Sequence, residues 1–294
     1  MPSLRLAVTE EQAGRTVLSL LRGELGLSSS LVKRLKRTDG GLLLNGAPVH
    51  TDARPVRGDI LEADLSAAER PAGVEPVDMA LDILFEDQHL LVLNKPAPLA
   101  VIPSSLSPGE PTLAGGVVRY LGPGASFHPV NRLDRGTTGL MAVAKTGYIH
   151  DRLRRQLHSG SFARTYLAVC VGEPAPPEGS ITLPIGRAPG SAVKRRVSPD
   201  GRPAVTLYRV LERRGGLCLL ELRPQTGRTH QLRVHMAAVG CPLAGDWLYG
   251  TEDRALIPRP ALHAGGLLLR HPVTGDLLNF TAPLPADMKR LLER

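Results

Sequence analysis

Residues Leu140 to Ala144 form an uninterrupted apolar run, entered directly from the turn Gly136-Thr137-Thr138-Gly139. A short apolar run bounded by turn residues predicts a buried strand. Such a strand needs a core around it, and 294 residues are enough to supply one, as a single large domain or as a small and a larger one. The same turn carries Arg132, Asp134 and Arg135. A carboxylate held on a tight loop beside guanidinium groups is what a catalytic acid, base or nucleophile requires. The plainer alternative is that Asp134 caps the turn and pairs with Arg132 or Arg135 at the surface.

The rest of the chain narrows the chemistry. Net charge is +8 and the isoelectric point is near 9.8, which fits a polyanionic partner, nucleic acid first. Cys170, Cys218 and Cys241 lie far apart with no C-x-x-C pair, which disfavours a disulfide framework or a cysteine zinc site and fits a reducing compartment. Glu10 and Glu11 interrupt any signal-peptide apolar core, and no stretch of 18 apolar residues occurs. A cytoplasmic protein without a membrane span is expected. There is no P-loop, no G-x-S-x-G and no dinucleotide fingerprint.

Along the chain, Thr16 to Leu25 predicts a short helix, and Ser28-Ser29-Ser30 offers an N-cap for a second. On that second helix Leu31, Val32 and Leu35 share one side, and Lys33, Arg34, Lys36 and Arg37 share the other. Residues 1–75 hold 10 basic and 10 acidic side chains, so these four cations are a local concentration. They are either a solvated face or a place where an anion is met. An Asn45-Gly46 turn and a strand ending near Asp64 follow. Leu81 to Phe85 and Leu90 to Leu93 predict two strands, the second stopped by Pro96, with Lys95 read as a surface lysine at its end. Ile149, Leu153 and Leu157 form a helical stripe ended near Gly160. Arg164 to Val171 is a strand with Tyr166, Ala168 and Cys170 on one face. Gly172 to Gly179 and the basic stretch Arg187 to Arg202 are expected to be loops. Arg228 to His235 predicts a helix opening, with Thr229 as N-cap, Leu232, Met236 and Val239 inward, and Gly240 at its end. His230 and His235 stand five apart, a spacing that favours hydrogen-bonding histidines over a zinc pair.

Two resemblances become specific at this point. The short helix, basic helix, Leu44-Asn45-Gly46 and Gly58-Asp59 resemble the αL RNA-binding module found in a ribosomal small-subunit protein and in some RNA-modifying enzymes. That resemblance implies phosphate contacts for Lys33, Arg34, Lys36 and Arg37. Farther on come Asn94-Lys95-Pro96, Arg132-Leu133-Asp134 with Gly139-Leu140, Arg164-Thr165-Tyr166, and the run Thr226 to His235. With Gly245-Asp246, Leu248-Tyr249-Gly250, Leu262-His263-Ala264 and His271-Pro272, their order and spacing resemble the RluA-type RNA pseudouridine synthases.

The resemblance implies an isomerisation in which a uracil is cut from carbon 1′, rotated and rejoined through carbon 5, with no metal or other cofactor. It places the catalytic aspartate at Asp134, acting on the ribose, on the base or in glycosidic cleavage. Its cationic partner would be Arg233, and Tyr166 would stack on the base and is a candidate to take the carbon 5 proton. Arg132 would help to rearrange RNA around the flipped nucleotide, and Arg228, His230 and Gln231 would contact substrate. The implied fold is α+β, a central mixed and largely antiparallel sheet with a small N-terminal α/β RNA-binding module. Residues 1–66 would be that module, 67–78 a linker and 79–294 the catalytic domain. The expected partner is ribosomal or transfer RNA, acted on by a monomer, with target choice set by loops and the N-terminal module.

The chain departs from the family in carrying Asn131 for the usual histidine, Thr138 for serine and Arg164 for lysine. Asn131, in the candidate loop, is expected to bear on substrate fit. Two other classes compete. A non-catalytic RNA-binding or ribosome-assembly factor has no need for Asp134, Tyr166 and Arg233 together. A hydrolase lacks a second well-placed carboxylate.

Overall fold

The structure, a computed structural model, describes residues 3–66, 73–105 and 107–293. Much of the expected 67–78 linker therefore lies outside the described residues. Within its described end, the Val77 amide donates to the Gly115 carbonyl, so this stretch is tied to the body of the chain instead of hanging free.

The first 66 residues build their own four-stranded sheet, in the order β1 (Leu4–Ala7), β4 (Ile60–Ala63), β2 (Leu42–Leu44), β3 (Ala47–Pro48). Asn45 and Gly46 both have positive φ, 53° and 82°, which is the turn an Asn-Gly pair gives between tightly paired strands. Helix α1 (Val17–Gly23) is capped by Thr16, and α2 (Ser29–Leu35) by Ser28, whose side chains accept the amides of Ser19 and Leu31.

The remainder is a ten-stranded sheet in the order β10 (Glu178–Ile181), β13 (Thr206–Arg214), β14 (Leu217–Pro224), β9 (Ala163–Val171), β15 (Leu262–Arg270), β8 (Thr138–Ala144), β6 (Leu90–Lys95), β5 (Ile83–Glu86). Strands β7 (His128–Pro129) and β16 (Leu277–Thr281) pair off this path with β8 and β15. Of the registered pairs in this sheet, β8 with β15 is parallel and the others are antiparallel. The expected α+β fold with a mixed, largely antiparallel sheet is what the chain forms.

The apolar run that opened the sequence reading is β8, buried from Gly139 to Ala144 between β6 and β15. Period-two alternation sends its side chains into two cores. Leu140, Ala142 and Ala144, with Leu90 and Val92, pack against Ile149 and Leu153 of α4 (Gly147–Ser159). Met141 and Val143, with Leu91 and Leu93, pack with Leu113 and Val117 of α3 (Leu113–Leu121) and with Leu232 and Met236 of α5 (Gln231–Ala238). Gly139 has φ 113°, and a Cβ there would stand 2.3 Å from the Ala264 carbonyl oxygen, so glycine is what lets β8 approach β15.

The first core also takes Val17, Leu20, Leu27 and Leu31, so the N-terminal sheet and helices are seated on α4. Ser28 bonds Asp151, Arg155 donates to the Gly26 carbonyl, and the Tyr148 hydroxyl donates to Leu25 at 3.5 Å. A second side of α4, carrying His150 and Arg154, faces the main cleft.

One expected loop is partly ordered as sheet. Within the basic stretch, β11 (Ile185–Arg187) pairs with β12 (Arg195–Val197) because Ile185 and Val197 share a small core with Val234 of α5. The last helix, α6 (Ala286–Leu292), buries Met288 and Leu291 in a further small core with Val169. None of the described helices is long and apolar enough to cross a membrane.

Candidate active site

A cleft of about 810 Å³ opens between the loop before β8, strand β9 and the start of α5. Asp134 lies in its wall beside six arginines: Arg132, Arg135, Arg154, Arg164, Arg228 and Arg233. Such a wall favours an anionic ligand.

The loop that carries Asp134 is fastened on both sides. Asn131 is buried, and its amide donates to the Leu140 carbonyl at 3.2 Å while its oxygen accepts the Ala142 amide at 2.9 Å. Asn131 was expected to bear on substrate fit. Both ends of its amide are instead spent clamping the loop to β8. A turn follows, closed by the Thr137 amide on the Asp134 carbonyl at 3.0 Å. Arg135 turns away to pair with Glu110 at 3.1 Å, so the plain surface pairing of Asp134 with Arg135 is not formed.

Two buried cations hold the far side of the turn, and sequence reasoning missed both. Lys95 is fully buried, not a surface lysine, and its ammonium donates to the carbonyls of Pro96 and Leu99 at 2.8 Å and of Arg135 at 3.3 Å. Arg259 donates to the Gly136 carbonyl at 3.3 Å and is itself held by Asp287 at 2.8 Å. Burial, with the nearby Arg259 charge, pushes Lys95 from its ordinary 10.5 down to about 7, against the pull of Asp134. The folded chain therefore binds less proton than the unfolded chain between about pH 7 and 10.5, and this group makes stability rise with pH across that window. In Lys95→Met the rise should vanish while the three carbonyls lose their donor, a cost of roughly 3 kcal/mol. Thermal midpoints of both proteins from pH 7 to 10 check this; parallel curves would contradict it.

Opposite the loop, α5 begins one residue later than expected. Its N-cap is His230, not Thr229, with φ 57° and no side-chain cap. Gln231 instead ties down the loop ahead of the helix, its side-chain oxygen accepting the Arg228 amide at 3.0 Å and the Thr226 hydroxyl at 2.8 Å. Its nitrogen donates to Val205 and Thr206, so this buried amide, expected to contact substrate, is spent within the wall. At the other end Val239 is exposed, not inward. The missed cap follows from a left-handed N-cap, a conformation that residue type does not announce in histidine.

This start puts Arg233 in the first turn, buried and facing Asp134. Its Nη1 lies 3.4 Å from Asp134 Oδ2, while Nε and Nη2 grip Asp246 at 2.7 and 2.8 Å. Burial works against the Arg233 charge, and Asp246 more than offsets it. Asp246 is fully buried and also accepts the amides of Leu248 and Tyr249. The preceding Gly245, at φ 69°, has no room for a Cβ, which would meet the Arg259 carbonyl oxygen at 2.5 Å. The turn is built to bring a carboxylate under the arginine. The sequence displayed Gly245-Asp246 but not that role.

Of the other expected residues, Tyr166 is buried in the cleft wall on β9, and burial pushes its phenol up, against Arg164. Arg132 is exposed in the cleft. Arg228 lines it while donating to the Pro203 carbonyl at 2.9 Å. His230 Nε2 stands 3.9 Å from Asp134, and burial lowers its pKa below the usual value for histidine. His235 is spent on Thr206 and the Leu183 carbonyl, both at 2.9 Å. Lys33, Lys36 and Arg37 are exposed on α2 and just after it, whereas Arg34 is half-buried. The structure thus brings Asp134, Tyr166, Arg132, Arg228, His230, Gln231 and Arg233 to one cleft, and leaves the four N-terminal cations outside its lining.

The chain is similar to known proteins. The family model described as RNA pseudouridylate synthase matches residues 89–238. The chain is 40% identical to the uncharacterized RNA pseudouridine synthase YjbO of Bacillus subtilis, over 92% of this chain and 96% of that one. It is 38% identical to ribosomal large subunit pseudouridine synthase D of Escherichia coli K12, over 87% of this chain and 82% of that one. Among solved structures, human RNA pseudouridylate synthase domain containing 1 superposes with a TM-score of 0.58 at 28% identity, covering 71% of this chain and 86% of that one. The chain belongs to the RNA pseudouridylate synthase family and is an RluA-type RNA pseudouridine synthase.

Proposed function

We propose that the chain converts uridine to pseudouridine in ribosomal RNA, with Asp134 as the reacting carboxylate. The observation that carries this is the line from buried Asp246 through buried Arg233 to half-buried Asp134 in the wall of an arginine-lined cleft. The isomerisation has no net redox change: the bond from N1 to carbon 1′ breaks, a carbon–carbon bond forms between carbon 5 and carbon 1′, and as carbon 5 loses its proton N1 gains one. An ionised Asp134 suits each role considered for it, attack on ribose, attack on base or help in cleavage. Arg233 holds that charge through one nitrogen while its other two are fixed on Asp246. Tyr166, kept as the neutral phenol by burial, offers a ring face to the base in the cleft wall. The target nucleotide must leave its helix to reach this depth, at a cost of a few kcal/mol, and exposed Arg132 is placed to fill or brace the gap.

The ribosomal assignment rests on the relative titled ribosomal large subunit pseudouridine synthase D. Purified enzyme should release tritium from transcripts of large-subunit RNA labelled at uridine carbon 5, and release little from transfer RNA transcripts. The reverse ranking would move the substrate to transfer RNA.

Residues 1–66 are proposed to be an RNA-binding module, with residues from 79 onward the catalytic domain. Lys33, Lys36 and Arg37, exposed beside α2, are its phosphate contacts, with half-buried Arg34 contributing less. Neutralising all four should weaken RNA binding and reduce the slope of log affinity against log salt by about 2 to 3. Titrations at several salt concentrations test this, and an unchanged slope would remove α2 from the interface.

A further inference from the structure

The turn after Asp246 carries a residue that touches both Arg233 and His230, and the proposed reaction gives it no role. Tyr249 lies with its ring under the Arg233 guanidinium, 5.0 Å from carbon to centroid. Its hydroxyl is 2.7 Å from His230 Nδ1 and receives the Arg195 amide at 2.9 Å. His230 in turn is one of two non-glycine residues with positive φ among those described. Strain of this kind persists where the surroundings over-determine it, and it clusters at functional sites.

The Arg195 amide can only donate, so the phenol accepts it and keeps its own proton available for His230 Nδ1. Burial keeps His230 neutral, with the charges of Arg233 and Arg195 acting in the same sense and Asp134 opposing. A neutral ring that accepts at Nδ1 carries its proton on Nε2, the nitrogen that faces Asp134 Oδ2 across 3.9 Å. That gap is longer than a hydrogen bond, as catalytic contacts often are before substrate closes them.

We propose that Tyr249 is a positioning residue for the uridine isomerisation. Its ring supports Arg233 from the side that Asp246 leaves open, and its hydroxyl selects the tautomer that presents an N–H to Asp134. Because the same hydroxyl is tied to the Arg195 amide, the basic hairpin of β11 and β12 is linked to the reacting carboxylate through one side chain. The inference rests on Asp134 being the reacting group.

The test is Tyr249→Phe, which keeps the ring and removes the hydroxyl, beside Tyr249→Leu, which removes both, and Asp134→Asn in the same tritium-release assay. Tyr249→Phe should lower kcat about tenfold with KM for RNA within twofold and a thermal midpoint lowered only as far as the unmet Arg195 amide requires. Tyr249→Leu should lower kcat about 100-fold. NMR of isotope-labelled histidine should place the His230 proton on Nε2 in the unsubstituted enzyme and show that preference lost in Tyr249→Phe. Wild-type kcat in Tyr249→Phe, or a loss that appears in KM and thermal midpoint instead, overturns the proposal. Activity retained in Asp134→Asn overturns the underlying reading of the site, and the two failures are told apart by that control.

Discussion

Asp134→Asn is expected to lower turnover by on the order of 10⁴-fold or more, the scale at which loss of a reacting group is felt, while RNA affinity stays within about threefold. The substitution is close to isosteric, and the turn that holds residue 134 is built by others. Its carbonyl accepts the Thr137 amide, and Lys95 and Arg259 hold the carbonyls of Arg135 and Gly136. The loop should therefore keep its shape with the charge removed. Binding draws on arginines spread over the cleft, so losing one carboxylate leaves that attraction intact or strengthens it. Single-turnover rates and equilibrium binding on the same transcript separate the two quantities. A residual rate above about one per cent would mean that the ionised carboxylate is not the reacting group.

Arg233→Met is expected to damage both stability and rate. It leaves Asp246, fully buried, without its cation, and an uncompensated buried charge costs about 3 to 5 kcal/mol. The rate should fall about 10² to 10³-fold, as when a fixed electrostatic partner is removed. Pairing the change with Asp246→Asn separates the effects. The asparagine oxygen can still accept the amides of Leu248 and Tyr249 but carries no charge to strand. The double variant should recover most of the lost stability and none of the rate. Recovery of rate along with stability would show that Arg233 serves only to fold the site. Arg233→Lys keeps the charge but cannot span two carboxylates with one ammonium, so it should fall between the two.

These expectations depend on features of unequal legibility. The strand β8 was readable because five apolar residues after a glycine-rich turn have few other uses, and alternation across it then sorts the two cores. Caps at Thr16 and Ser28 and the Asn45-Gly46 turn were readable because their chemistry is local. Asp134, Tyr166 and Arg233 were found by resemblance, since nothing in three separated residues announces that β9 and α5 bring them to one wall. Lys95 was misread because its burial is decided by carbonyls at Leu99 and Arg135, the second of them 40 positions away. The clamp made by Asn131 was illegible for the same reason: its partners are backbone groups of β8, which no side-chain pattern reveals. The start of α5 was missed because its N-cap, His230, makes no side-chain cap bond, which is the feature helix-start rules look for. Local hydrogen-bonding chemistry is written in the sequence; buried charge and its partners are written only in the fold.

The most direct measurement is pseudouridine mapping of ribosomal RNA from a strain lacking this gene, complemented with the unsubstituted chain or with Asp134→Asn. At least one large-subunit position should lose its pseudouridine on deletion and regain it only with the unsubstituted chain. A pattern unchanged by deletion, or restored equally by Asp134→Asn, would contradict the assignment of Asp134 as the group that isomerises uridine in ribosomal RNA.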